Sequence, residues 1–151
     1  MRRALIVLAT LVAAGLPALA GDVIKLKATA SETSFIPIDF DGRYLTAITA
    51  GSGHSSSLGA IQYVAPHLFD FGTGIYTSFM VITAANGDEL YAETLGHFNP
   101  LDTSADAQST YTILGGTGRF RGASGSGDIF RTDLGATIIV EGTISTVGSR
   151  K

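Results

Sequence analysis

The chain of 151 residues contains no cysteine. No disulfide framework is available to it, so the domain must hold itself by packing, strand pairing or association. Lysine is nearly missing too. None stands between Lys27 and Lys151, which removes the phosphate-cradling pattern G-x-x-x-x-G-K-[ST]. Histidine occurs only as His54, His67 and His97, no two of them within ten residues. Zinc sites need ligands at short spacings, so no metal site and no cofactor is expected. Asp39-Phe40-Asp41-Gly42 opens like a calcium loop, but Ala50 stands where the closing glutamate belongs, and it reads as a tight turn. Beyond residue 20 no stretch has helical periodicity.

Basic side chains are few. Without Arg2 and Arg3 the chain has 8 basic and 13 acidic residues, a net charge of −5. Such a surface repels phosphate backbones, so no nucleic-acid partner is expected. No later apolar run is long enough to cross a bilayer.

What is present begins with a leader. Arg2 and Arg3 precede an apolar stretch from Ala4 to Leu16, then Pro17 and the small-x-small triplet Ala18-Leu19-Ala20. This order predicts a secretory signal peptide over 1–20, with Gly21 as the first mature residue. The expected location is secreted or periplasmic, with 21–151 as a single domain.

The remainder reads as short strands separated by glycine and serine. They are Val23–Thr29, Tyr44–Thr49, Leu58–Ala65, Ile75–Ala84, Glu89–Leu95, Ala107–Leu114, Ser126–Arg131 and Ala136–Thr146. Eight strands with short connections predict a sandwich or barrel. Asn86-Gly87 between two of them is a strong hairpin signal. A two-residue turn there would set Glu93 opposite Met80. Phe79-Met80-Val81-Ile82 and Ile138-Ile139-Val140 are apolar on both faces, so a second apolar environment is expected outside the barrel. A covering segment or a neighbouring subunit of a homo-oligomer would supply it.

"ILGGTGRFRGASGSGDIF", Ile113 to Phe130, is the most unusual stretch. It fails as a dinucleotide fingerprint, because Arg121 stands where the third glycine belongs. It fails as a nucleophile elbow, because Gly122-Ala123-Ser124 leads to Ser126. Gly115, Gly116, Gly118 and Gly122 therefore read as backbone devices around a plug, Phe120. On an extended segment Arg119 and Arg121 would share the face away from that plug.

"TILGGTGRFRGASGSGDI" resembles the G-G-[ST]-G-x-F-x-G-A-x-G signature of the allene oxide cyclase barrel, with dirigent proteins as more distant relatives. The series Leu58-Gly59, Ala84-Ala85-Asn86-Gly87-Asp88 and Gly115 to Phe120 also resembles small secreted bacterial proteins. The resemblance implies an all-β, eight-stranded antiparallel barrel with an apolar lumen, in a dimer or trimer. It also implies ring closure of an unstable fatty-acid epoxide, using cavity shape, an ordered water and a carboxylate.

Three functions follow from these readings. One is an extracytoplasmic barrel holding a small apolar ligand in its lumen. Another is a cyclase or isomerase acting there. The third is a structural or interaction protein with a filled lumen. Glu93 and Glu141 sit in apolar strands; facing the lumen, either would have a raised pKa and could act as acid or base. Facing out, both are solvated. Tyr91 and Tyr111 are candidate hydrogen-bond donors to a ligand, and His54, in "GSGHSSSLG", is a candidate barrel-mouth residue.

Overall fold

A computed structural model describes residues 22–99, 101, 107–132 and 137–146. The expected leader, 1–20, lies outside them. Eight strands follow in order: β1 (Val23–Phe40), β2 (Tyr44–Ser55), β3 (Gly59–Asp70), β4 (Ile75–Ala84), β5 (Glu89–His97), β6 (Ala107–Gly116), β7 (Gly125–Thr132) and β8 (Thr137–Ser145). Each pairs antiparallel with the next, and β8 pairs back onto β1, closing a barrel without a crossover. The expected all-β barrel is the observed fold.

Alternation along each strand separates lumen from outer wall. In β3, Ile61, Tyr63, Ala65 and His67 are buried, while Gln62, Val64, Pro66 and Leu68 are exposed. One contiguous core runs from Phe120, Leu58 and Leu90 through Ile61 and Ile144 to Tyr63, Met80 and Tyr111.

Glycines inside the wall are matched to tyrosines inside the lumen. A Cβ on Gly51 would strike the ring of Tyr63, one on Gly96 the ring of Tyr76, and one on Gly127 or Gly142 that of Tyr111. Each ring lies over a neighbouring strand where a side chain is missing. Glycine costs strand stability by itself, and the covering ring restores buried area. Tyr63 thus covers Gly51, and β1 lies close against Gly53 at Thr29 and Ala30, as β2 continues to Ser55, beyond its expected end at Thr49. β1 also extends past Thr29 to Phe40 and β3 past Ala65 to Asp70.

The β4–β5 hairpin differs from expectation in its register. Ala84 N–H donates to the Asp88 carbonyl and Gly87 N–H to the Ala84 carbonyl, both at 2.9 Å. Gly87 has φ 85°, the left-handed residue of a three-residue turn. Glu93 therefore faces Phe79, and Met80 faces Ala92.

The glycine run closes one end of the barrel. Gly118–Phe120 forms a single 3₁₀ turn, so this piece is not extended as the sequence suggested. Gly118 (φ 49°) and Gly122 (φ 73°) supply the left-handed corners, and Phe120 turns in to 1% exposure. Arg119 folds back over the Phe120 ring at 4.7 Å and donates to the Leu58 carbonyl at 3.3 Å. Its backbone N–H donates to Asp88 at 3.1 Å, which holds that carboxyl below its usual range. Arg121 is exposed.

Candidate functional site

The end opposite Phe120 is built differently. β1 leaves β8 at the Ser31–Thr137 pair and continues to Phe40 with β2 as its partner. Register shifts between Glu32 and Ser34 and between Pro37 and Asp39 bend this overhang. At its tip the Asp41 carboxylate accepts the N–H groups of Arg43 (2.8 Å) and Tyr44 (2.7 Å). Those bonds, Tyr44's first, lower the Asp41 pKa. Arg43 then grips Asp70 with two bonds of 2.9 Å, tying the tip to the β3–β4 turn and holding Asp70 well below the carboxylate range.

The overhang and the turns around it concentrate aromatic rings. Phe35, Phe40, Phe69, Phe71 and Phe98, five of the eight phenylalanines, meet here. Ring centroids are 6.2 Å apart for Phe35–Phe69, 5.6 Å for Phe40–Phe71, 5.5 Å for Phe69–Phe98 and 5.2 Å for Phe71–Phe98. Phe35 and Phe40 remain 47% and 55% exposed. An apolar shelf at a barrel mouth is the kind of surface that marks a binding site.

Directly behind the shelf the lumen turns polar. His67 stacks on Phe69 with 5.3 Å between centroids. Cross-strand pairing sets His67 beside Ser78, Ser78 beside Thr94 and Thr94 beside Tyr111, a row across β3 to β6. Thr49 Oγ1 meets His67 Nε2 at 2.9 Å, and Thr94 donates to Ser78 at 3.1 Å. Ser109 is buried in the next row. Arg131 donates to Glu32 at 2.8 Å, with both side chains mostly covered. Five buried polar atoms have no hydrogen-bond partner among the described residues: Arg119 Nε at the corner, and in the lumen His67 Nδ1 and the hydroxyls of Tyr63, Tyr76 and Tyr111. Buried polar atoms normally find one.

Burial, with a smaller push from Arg131, brings the His67 pKa down to about 4, so the imidazole is neutral at physiological pH. Burial also pushes Tyr63 and Tyr111 up to about 12, with Glu32 adding to the first and Asp128 to the second. The row thus offers hydroxyl donors and a neutral imidazole. Such groups can donate and accept hydrogen bonds.

The sequence candidates fall in several places. Tyr111 lies in the row. Glu93 and Glu141 are exposed on the outer wall, so the lumen-facing geometry that would make either an acid or base is not met. Glu141 pairs with Lys27 at 3.0 Å. Tyr91 points outward and donates to Glu89 at 2.8 Å. His54 is also on the outer wall, in a shallow groove of about 360 Å³ that it shares with Lys27 and Glu141. An apolar ligand inside the lumen would have to displace the tyrosine rings; the mouth offers exposed apolar surface at Phe35 and Phe40. Among the described residues no His, Asp and Glu group is placed to hold a metal ion.

Sequence reasoning missed Thr49, His67, Ser78, Thr94 and the Glu32–Arg131 pair. One signal was readable: Ser78 and Thr94 share strand parity with Tyr76, Met80, Leu90 and Ala92. In comparisons with known proteins, no family model and no curated protein matches this chain.

Proposed function

We propose that this is an extracytoplasmic barrel that binds a small apolar molecule at its aromatic mouth, with a hydrogen-bonding group of the ligand reaching the row behind. The observation that carries this reading is the pairing of two half-exposed rings, Phe35 and Phe40, with buried unpartnered atoms of His67 and Tyr76 behind them. Apolar surface supplies affinity, and a few polar groups set orientation. The N-terminal leader pattern supports an extracytoplasmic location, and the glycine signature supports kinship with allene oxide cyclase barrels. A cyclase would need a lumen carboxylate free to act. Glu93 and Glu141 face outward, and Glu32 is engaged by Arg131.

The test is titration of the mature protein with an environment-sensitive naphthalene probe. Saturable binding at one site per chain is expected. Phe35→Ser and Phe40→Ser, both at exposed positions, should weaken it at least tenfold while the thermal transition stays within a few degrees. Absence of saturable binding, or binding indifferent to both substitutions, would overturn the reading.

A further inference from the structure

A second surface stands apart from the mouth. β3 to β6 carry, on the outer wall, a groove of about 740 Å³. Pro66 has no N–H to give the ladder, and the β3–β4 pairing breaks between Val64–Val81 and His67–Ser78. The groove lies over this break. Its walls follow the sheet lattice. Phe79 faces Glu93, which faces Thr112; Leu68 faces Thr77, which faces Leu95, which faces Thr110. The result is a checkerboard of apolar and hydroxyl-bearing side chains around one carboxylate.

The chemistry of these groups selects among ligands. Phe79 is 42% exposed and has Tyr91 beside it at 6.1 Å between ring centroids, so the ring has an aromatic neighbour and an open side. Glu93 has no ion-pair or hydrogen-bond partner among the described residues, and the same holds for the hydroxyls of Thr77 and Thr112. Among the described residues no lysine or arginine lines the groove. A carboxylate without a neighbouring cation repels anions. A cationic peptide would satisfy Glu93 and leave the threonines idle. A second copy docked with its two-fold axis beside Glu93 would bring two carboxylates together, which is unfavourable. A sugar ring uses every feature. Its C–H face stacks on Phe79, adjacent hydroxyls donate to Glu93, and threonine hydroxyls both donate and accept.

We propose that this groove is a carbohydrate-binding site for a neutral oligosaccharide, formed by Phe79, Glu93, Leu95, Thr77, Thr110 and Thr112. Its lining includes His67, Ser78 and Thr94 of the polar row, but neither Phe35 nor Phe40 of the aromatic mouth. Its position on strands gives a rigid, preformed platform.

The experiment is a screen of the mature protein against an array of neutral oligosaccharides, followed by calorimetry on the best one. Millimolar or tighter binding is expected for at least one glycan. Phe79→Ala and Glu93→Gln should each weaken it at least tenfold. Glu93→Gln is exposed and keeps the side-chain shape, so the fold is preserved. Phe40→Ser, at the mouth, should leave glycan binding unchanged, which separates this site from the one above. The proposal is overturned if no neutral glycan binds, or if binding is indifferent to both groove variants. It is also overturned if an oligolysine peptide binds through Glu93 in place of a glycan, or if sedimentation shows a dimer that Phe79→Ala dissociates.

Discussion

The two ends of this barrel are made from similar pieces and behave differently. Each has a phenylalanine turned toward the axis and an arginine tied to an aspartate. At the corner end Phe120 is 1% exposed; at the mouth Phe40 is 55% exposed. Among the described residues the two ends differ in the main chain. Residues 116–124 cross their opening, held by Thr117 N–H on the Glu89 carbonyl and by Glu89 N–H on Thr117 Oγ1, both 2.8 Å. The β1–β2 overhang stands above its opening, paired along β2 and clamped at its tip by Arg43 and Asp70. Among the described residues, a chain segment with its own hydrogen bonds satisfied crosses the corner end, and rings alone gather at the mouth.

The sharpest break of this contrast is substitution of the two rings. Phe120→Ala should destabilise by about 3–5 kcal/mol in urea unfolding, the cost of a large cavity. Phe40→Ala should cost less than about 1 kcal/mol, as for an exposed site. Equal costs would erase the distinction between the ends.

Next in size is the response of the mouth end to acid. His67 has a folded pKa of about 4 against an ordinary 6.5. Between these values the unfolded chain binds a proton that the folded one refuses. Stability is therefore full above pH 6.5 and falls as pH drops toward 4, by on the order of 3 kcal/mol. Urea midpoints at pH 7.5 and 4.5 should show the loss in the native protein and a much smaller one in His67→Gln. Asp41, Asp70 and Asp88 have lowered pKa values, and their contributions are lost only at more acidic pH.

Two glycines sharpen the comparison further. Gly118, at the corner, has φ 49°, and an added Cβ would collide with the Asp88 carboxylate. Gly42, at the overhang tip, has φ 96° and nothing within 4 Å of such a Cβ. Gly42→Ala should cost about 1–2 kcal/mol for the left-handed backbone alone. Gly118→Ala should cost more, because it also disturbs the Asp88 bonds to Arg119. Thermal shifts in the reverse order would mean that the corner yields more easily than its packing implies.

The smallest effect belongs to the barrel's flank. Lys27 and Glu141 form an ion pair with both side chains more than half exposed. Glu141→Gln should change stability by no more than about 0.5 kcal/mol, and salt should remove even that.

Much of the architecture was legible in the residues themselves. Period-two alternation marked Val23–Thr29 as a strand because a pleated chain shows its faces alternately. Asn86-Gly87 announced a hairpin, and the density of glycine around Phe120 announced a corner with a plug, because only glycine takes those backbone angles cheaply. Strand ends were less legible. Gly51, Gly53 and Pro66 look like breaks when read along the chain. They are tolerated because Tyr63 covers Gly51 and because the ladder resumes beyond Pro66.

The candidate site was the least legible part, for a physical reason. Composition and local pattern depend on neighbours in sequence, and these determined strands, turns, the glycine corner and the low positive charge. Which side chains meet depends on register, and register depends on every turn and bulge in the path. One extra residue in the β4–β5 turn moved Glu93 from Met80 to Phe79. The row His67, Ser78, Thr94 and Tyr111 comes from four strands, so no window of sequence contains it. The aromatic mouth gathers Phe35 with Phe69 and Phe98, residues far apart in the chain, because a closed barrel brings alternate hairpins to the same end. Tertiary structure alone decided those meetings, since only closure of the sheet makes distant strands share a lumen.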